Sequence, residues 1–356
     1  MKRETAAAPE AGDAGRGAAG TLMAAEMAEQ PAVLRRLIAR FPEIVASVRA
    51  VVPSPLAGCV LLARGSSDNA AVLGRYLIEE TSRRPAGLAA PSLITRYQAA
   101  VDYRGYLVVA LSQSGETPEI VSAAEAMRAR GARVVAVTNE AASPLAAVGD
   151  VVIHTDSGRE RAVPATKTVT SQMLALVAVA AAVGELPFDP ADLDALPDAV
   201  AAVLGGQGCD SLAWRWSNHD RLVVAGRGLG YAAALEGALK IRETSSVFAE
   251  GISVADLLHG PIAALTTHVP VVLVELAGPT AADMARLRQR LIRDRTPHAT
   301  LGHASEAALH LPAGLPEPLA VIAATVILQQ LAYSFALARG RDPDSPTGLA
   351  KITATH

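Results

Sequence analysis

The chain has 356 residues, 51% of them hydrophobic, with Lys+Arg 32 against Asp+Glu 35 and a formal net charge of −3. That apolar content suffices for large buried cores and excludes a mostly disordered chain, while the lack of a basic excess argues against a nucleic-acid partner. Two cysteines, Cys59 and Cys209, provide neither a disulfide framework nor a cysteine-based metal site.

Residues 1–20 mix charges with Ala and Gly and lack the apolar run of a signal peptide, so they read as a disordered tail on a cytoplasmic protein. Leu61-Leu62-Ala63-Arg64-Gly65 is a strand pattern ending in a glycine turn, with helix formers after it. Val108 to Leu111 runs into Ser112-Gln113-Ser114-Gly115-Glu116-Thr117, followed by an amphipathic helix over Glu119 to Arg130 and a further strand from Arg133 to Val137. The apolar stretch from Met173 to Val183, like the later one from Leu319 to Leu328, is far short of the ~20 residues that cross a bilayer, so no membrane partner is expected. Pro187, Pro190, Pro197 and Gly205-Gly206 break the periodicity between Leu186 and Ser217, which predicts a linker. Beyond it, Val223 to Gly228 repeats the first strand-turn, and Val271 to Val274 with Glu275 to Thr280 repeats the second. Arg64 and Arg227, and likewise Gly115 and Gly278, stand 163 positions apart, the mark of a tandem duplication.

Each copy alternates short Val/Leu-rich runs with helical segments. The expected fold is therefore α/β, two tandem doubly wound parallel-sheet subdomains, over residues 21–200 and 201–340. Residues 341–356 carry Pro343 and Pro346 without any helical or strand period and read as a C-terminal tail.

The loop from Ser112 to Thr117 follows a buried strand and opens a helix, the place where doubly wound sheets bind ligands. A helix N-terminus offers free N–H groups to an anion; Ser112, Ser114 and Thr117 add hydroxyls, and Ser66 and Ser67 hold the equivalent place in the preceding unit. No Gly-Lys-Ser/Thr motif points to a nucleoside triphosphate. Ordinary helix capping is the alternative for these serines. The second copy bears on that choice, because it carries Glu275, Ala277 and Leu229 in place of Ser112, Ser114 and Ser66: one copy keeps a hydroxyl-lined loop and the other has lost it. In that second copy Glu236, Lys240 and Glu243 share one helix face at spacings of four and three, and His259 follows in a turn-like Asp256-Leu257-Leu258-His259-Gly260-Pro261. A solvated salt-bridge ladder and an acid–base site are both consistent with that trio.

The Ser112–Thr117 loop, Ala165-Thr166-Lys167 with Thr170 to Gln172, Leu235 to Glu243, His259-Gly260-Pro261 and Leu349-Ala350-Lys351 together resemble the double sugar-isomerase (SIS) family. Within it the chain resembles the isomerase half of glucosamine-6-phosphate synthase and the stand-alone SIS-type glucosamine-6-phosphate deaminases, from about Met23 onward. The resemblance implies flavodoxin-like subdomains and a small-molecule sugar phosphate as ligand. It implies that Ser66, Ser67, Ser112, Gln113, Ser114 and Thr117 hold the 6-phosphate. Glu243 would be the base moving a proton between C1 and C2, and Lys240 would stand beside the sugar oxygens. His259 would assist ring opening at the neighbouring subunit's site, which implies a homodimer. Lys351 would close over the sugar as lid and amine, with Glu160, Val163 and Ala350 lining the pocket. No metal or other cofactor is implied.

Asp256 stands where the family has Glu, Pro164 where it has a small residue, and the last five residues differ from its usual ending. The synthases begin with a glutaminase domain opened by a cysteine; no cysteine lies near Met1 here. The expectation is therefore a deaminase, taking glucosamine 6-phosphate and water to fructose 6-phosphate and ammonia. A fructosamine-phosphate deglycase, a simple phosphosugar isomerase and a non-catalytic sugar-phosphate sensor are the alternatives.

Overall fold

The computed structural model describes residues 19–351; most of the expected N-terminal tail and the last five residues lie outside them. Three helices, α1 (Thr21–Ala28), α2 (Gln30–Ala39) and α3 (Phe41–Arg49), precede the first sheet. The first sheet's strands are β1 (Gly58–Leu62), β2 (Ala86–Leu88), β3 (Tyr106–Leu111), β4 (Arg133–Thr138) and β5 (Val151–His154). Between and after them come α4 (Ser66–Ser82), α5 (Ser92–Thr95), α6 (Pro118–Ala129), α7 (Pro144–Val148) and α8 (Lys167–Val183). A short 3-10 turn leads to α9 (Leu196–Leu204) and α10 (Cys209–Trp216). The second copy follows as β6 (Arg221–Gly226), α11 (Gly230–Ser245), β7 (Phe248–Ser253), α12 (Val254–Leu258), β8 (Val271–Glu275), α13 (Ala281–Arg293), β9 (His298–Gly302), β10 (Leu309–His310) and α14 (Glu317–Ala338).

Both sheets are parallel and share one topology, β2-β1-β3-β4-β5 and β7-β6-β8-β9-β10. This is the 2-1-3-4-5 order of a doubly wound sheet, whose crevice opens where the strand order reverses, beyond the carboxyl ends of β1 and β3. Alternation along the strands decides which face each residue feeds. Leu61 and Val109 point into a core shared with Val224 and Val272 of the second sheet, whereas Leu62 and Val108 pack on the opposite face with Ile120 and Met127 of α6. Val223 and Val271 do the same toward Leu287 of α13. The shared core is filled by α4, α8, α11 and α14, so these helices form a layer between the two sheets.

That layer sets the site, because α4 packs against α11 within it. The N-terminus of α4 belongs to the first copy's crevice, and the charged face of α11 comes from the second copy. Close approach is possible because α11 is rich in small residues: a Cβ added at Gly237 would press on the Leu328 side chain of α14.

The segment expected to be a linker is largely helical. Pro190 and Pro197 sit in first turns, where no backbone donor is missed, and Gly205 caps α9. Two of the three prolines that break the periodicity are therefore helix starts, while Pro187 lies in the loop before them. The second apolar stretch also extends further than its uninterrupted run indicates. Helix α14 has 22 residues with mean hydropathy 1.7, long and apolar enough to cross a membrane by length and composition, yet 89% of that window is buried inside the protein. Its polar members Thr325 and Gln329 are buried and bonded to backbone carbonyls, which fits a core helix.

Candidate functional site

A cavity of about 390 Å³ opens at the carboxyl ends of β1 and β3. One wall is the hydroxyl-rich loop. Gly115, at φ +64, turns the chain so that β3 leads into α6, and a Cβ there would collide with Ser143 Oγ. Ser112 Oγ accepts the Gly115 N–H at 3.1 Å and lies 3.1 Å from Thr117 Oγ1, and Ser114 Oγ accepts the Glu116 N–H at 3.2 Å. Helix capping does not account for these hydroxyls, since Thr117, the N-cap of α6, makes no side-chain cap bond. Ser66 and Ser67, the first residues of α4, complete this wall. Two helix N-termini and the hydroxyls of Ser66, Ser67, Ser112, Ser114 and Thr117 thus line one small volume, an arrangement suited to an anion.

The opposite wall is α11. Lys240 is 1% exposed and its ammonium is bonded to Glu243 and 3.6 Å from Glu236. Glu236 is fully buried and accepts from Asn69 of α4 at 2.8 Å, while its other oxygen has no hydrogen-bond partner. Burial pushes the Glu236 carboxyl above the usual carboxylate range, an effect that Lys240 and Asn69 only partly offset. Burial likewise opposes the charged form of Lys240, but Glu236 and Glu243 outweigh it and hold that ammonium above the usual lysine value. Glu243, with 24% of its side chain exposed, is the carboxylate of the trio that faces the cavity. The solvated-ladder alternative does not hold for this trio: a ladder of exposed residues would not place two of its three members out of contact with water.

The third wall comes from the loop before α8 and the C-terminal segment. Val163, Ala165, Leu349, Ala350 and Lys351 all line the cavity. Lys351 Nζ donates to Glu160 Oε2 at 2.8 Å. Glu160 faces an adjoining cavity of about 370 Å³ that it shares with Gln113, Ser114 and Lys351. Its carboxylate also accepts the Thr166 N–H at 2.9 Å, the Thr168 N–H at 3.2 Å and the Thr168 hydroxyl at 2.7 Å. Burial raises the cost of charging Glu160, yet Lys351 and these donors prevail and keep it ionised below the usual range.

Of the residues predicted to form the site, His259 alone is brought to neither cavity. It is exposed at the C-terminal end of α12, its N–H bonded to the Asp256 carbonyl at 3.1 Å. The sequence reading left out Arg64, which lines the cavity and grips Glu119 through two contacts of 3.0 and 3.2 Å. It also left out Asn69, the partner of Glu236, although its place one turn into α4 beside Ser66 was a usable signal.

The SIS domain profile matches residues 59–182 and 216–334, one match for each sheet. The glutamine–fructose-6-phosphate aminotransferase [isomerizing] of Pyrococcus horikoshii is 34% identical over 82% of this chain, and the chain spans 51% of that relative's length. A solved structure from Silicibacter pomeroyi, provisionally classed as a phosphosugar isomerase, superposes with a TM-score of 0.83 at 29% identity, covering 91% of this chain and all of the other. The glucosamine-6-phosphate deaminase of Thermotoga maritima has the same fold, with a TM-score of 0.73 at 22% identity over 93% of this chain and 99% of its own.

Proposed function

The chain belongs to the SIS domain family, and from that premise we propose that it converts glucosamine 6-phosphate and water to fructose 6-phosphate and ammonia. The observation that carries this reading is a single cavity with the hydroxyl cradle of one copy facing Lys240 and Glu243 of the other. A sugar phosphate anchored by its phosphate at Ser66, Ser67 and the Ser112–Thr117 loop places its far end, C1 and C2, toward α11.

Aldose–ketose isomerisation needs one carboxylate to remove a proton from one carbon and return it to its neighbour, and a cation where negative charge develops on oxygen. Glu243 meets the first need, since its side chain is the accessible member of the trio. Lys240 meets the second; its ammonium is held charged by two carboxylates and has no freedom to leave. In the open-chain aldehyde form of the amino sugar, Glu243 takes the C2 proton and delivers it to C1, while the C1 oxygen gains the proton that the C2 amine loses on becoming an imine. The resulting C2 imine adds water and expels ammonia. The Pyrococcus horikoshii relative is named as an isomerizing aminotransferase of glutamine and fructose 6-phosphate, and the reaction proposed for this chain runs in the opposite sense, with water displacing ammonia. Lys351 closes the pocket and, as an amine at its rim, is placed to react with or bond to the sugar carbonyl. His259 acts at the site of a second copy, the two chains forming a homodimer.

The test is ammonia release from glucosamine 6-phosphate by the purified chain and by Glu243→Gln. Turnover by the wild type with a loss of roughly 10²–10⁴-fold in the variant supports the reading. Interconversion of neutral hexose 6-phosphates without ammonia would make the protein a plain phosphosugar isomerase. Wild-type and variant chains that are equally inert toward every sugar phosphate would make it a binding protein.

A further inference from the structure

Helix α1 and its C-cap carry two acidic residues that the mechanism does not use, Glu26 and Glu29. Glu26 is 4% exposed, and its carboxylate accepts the backbone N–H groups of Arg161 and, at 3.2 Å, Ala162. Glu29 takes the ammonium of the buried Lys167 at 2.6 Å, and that ammonium also donates to the Arg159 carbonyl at 2.8 Å. Glu26 therefore binds the short loop that presents Glu160 and Val163 directly, and Glu29 reaches it through Lys167. The C-terminal segment holds the same parts from the other side. Asp344 accepts the Leu22 and Met23 N–H groups at 2.9 and 2.7 Å, and its carbonyl accepts the Val163 N–H at 3.0 Å. Asp342 accepts the Gly20 N–H at 3.1 Å. Helix α1, the 159–163 loop and the segment leading to Lys351 thus form one closed circuit of hydrogen bonds.

We propose that Glu26 is a positioning residue: by fixing the 159–163 loop it sets where Glu160 stands, and through Glu160 it sets where Lys351 closes on the pocket. Its carboxylate is the right group, because two adjacent backbone donors converge on it and a neutral apolar residue would leave both buried and unpaired. The consequence for catalysis rests on the phosphosugar reading above; the positioning itself does not.

The experiment compares wild type, Glu26→Gln and Glu26→Ala by hydrogen exchange and by steady-state ammonia release. In Glu26→Ala the amides of 159–163 and of 341–351 exchange roughly tenfold faster, while those of β3, β8 and α14 keep their protection. Glu26→Gln retains one acceptor oxygen and falls between the two. In turnover, kcat drops while KM stays within about threefold, since the phosphate is held by a different loop. Wild-type exchange in the alanine variant overturns the proposal, as does faster exchange spread evenly over both sheets, which would make Glu26 a stability residue only. A variant in which KM rises while kcat is unchanged overturns the link to catalysis. A wild type that releases no ammonia refutes the deaminase reading and leaves the exchange comparison to decide the role of Glu26.

Discussion

Replacing Lys240 with Met tests whether the α11 trio is a buried charge system. The ammonium is 1% exposed, Glu236 is fully buried, and one Glu236 oxygen stands 3.6 Å from that ammonium without a hydrogen bond of its own. Met fills the volume but removes the cation, so Glu236 is left buried with only the neutral donors Asn69 and Ser66 among its stabilising neighbours. Breaking a buried pair from one side costs about 3–5 kcal/mol, which for a chain of this length lowers Tm by roughly 4–7 °C. The loss depends on pH with a definite sign. The Glu236 carboxyl is already above its ordinary value of 4.5 because of burial, and losing Lys240 raises it further. A carboxyl that is raised in the folded state binds more protons there than in the unfolded chain, so stability is retained below the ordinary value and lost as pH rises through the shifted one. The gap in thermal stability between Lys240→Met and wild type should therefore narrow as pH falls toward the ordinary carboxyl value of 4.5 and widen as pH rises above it. The double variant Lys240→Met with Glu236→Gln removes the orphaned charge and should recover more than half of the lost stability. A pH-independent loss, or a double variant no more stable than the single one, would refute this account.

Lys351→Met leaves the buried Glu160 carboxylate without its cation, so it should cost about 3 kcal/mol and lower Tm by roughly 4 °C, while ammonia release falls roughly 10²-fold through loss of the closing contact; unchanged turnover would remove Lys351 from the mechanism. Gly115→Ala puts a side chain where φ is +64 and against Ser143, which should cost about 1–3 kcal/mol and raise KM for sugar phosphates more than it lowers kcat, as read from denaturation and initial rates.

Much of the fold was legible because it is local and repeated. Val/Leu runs buried on both faces mark parallel strands by composition alone, and the constant offset of 163 ties Gly65 to Gly228 and Gly115 to Gly278 without any structure. Most of the cradle was legible for the same reason: Ser112, Ser114 and Thr117 lie within six consecutive residues at a strand end, and Ser66 and Ser67 hold the same place after β1. The trio was legible as a helix face, but its burial was not, since spacing says which residues are neighbours and says nothing of what covers them. What hid from the sequence are contacts between distant segments. Asp344 caps α1 across a separation of 322 residues, and Glu26 reaches Arg161 across 135; neither leaves a periodic trace. The helical content of 186–217 was hidden for a different reason, because proline in a first turn and proline in a linker look alike when counted along a chain.

The duplication also accounts for why two similar halves make one mixed site. In the first copy the positions 163 before Lys240 and Glu243 hold Leu77 and Glu80, so α4 lacks the buried cation and offers no matching acid–base trio. In the second copy the loop equivalent to the cradle, Glu275 to Thr280, lacks the serines, and the Glu317 carboxylate of α14 sits over Gly278, where an added Cβ would strike it. A carboxylate in that place repels a phosphate. It is also itself held above its usual range, by burial and by the nearby Glu80. Each half thus carries one set of groups, the hydroxyl loop or the charged trio, and lacks the other. The packing of α4 on α11 in the central layer is what reunites them, by carrying the N-terminus of α4 from the first crevice to the charged face of the second copy's helix. A substitution that loosens this contact, far from any hydroxyl or carboxylate, would separate the anchor from the base and so act on chemistry through packing alone.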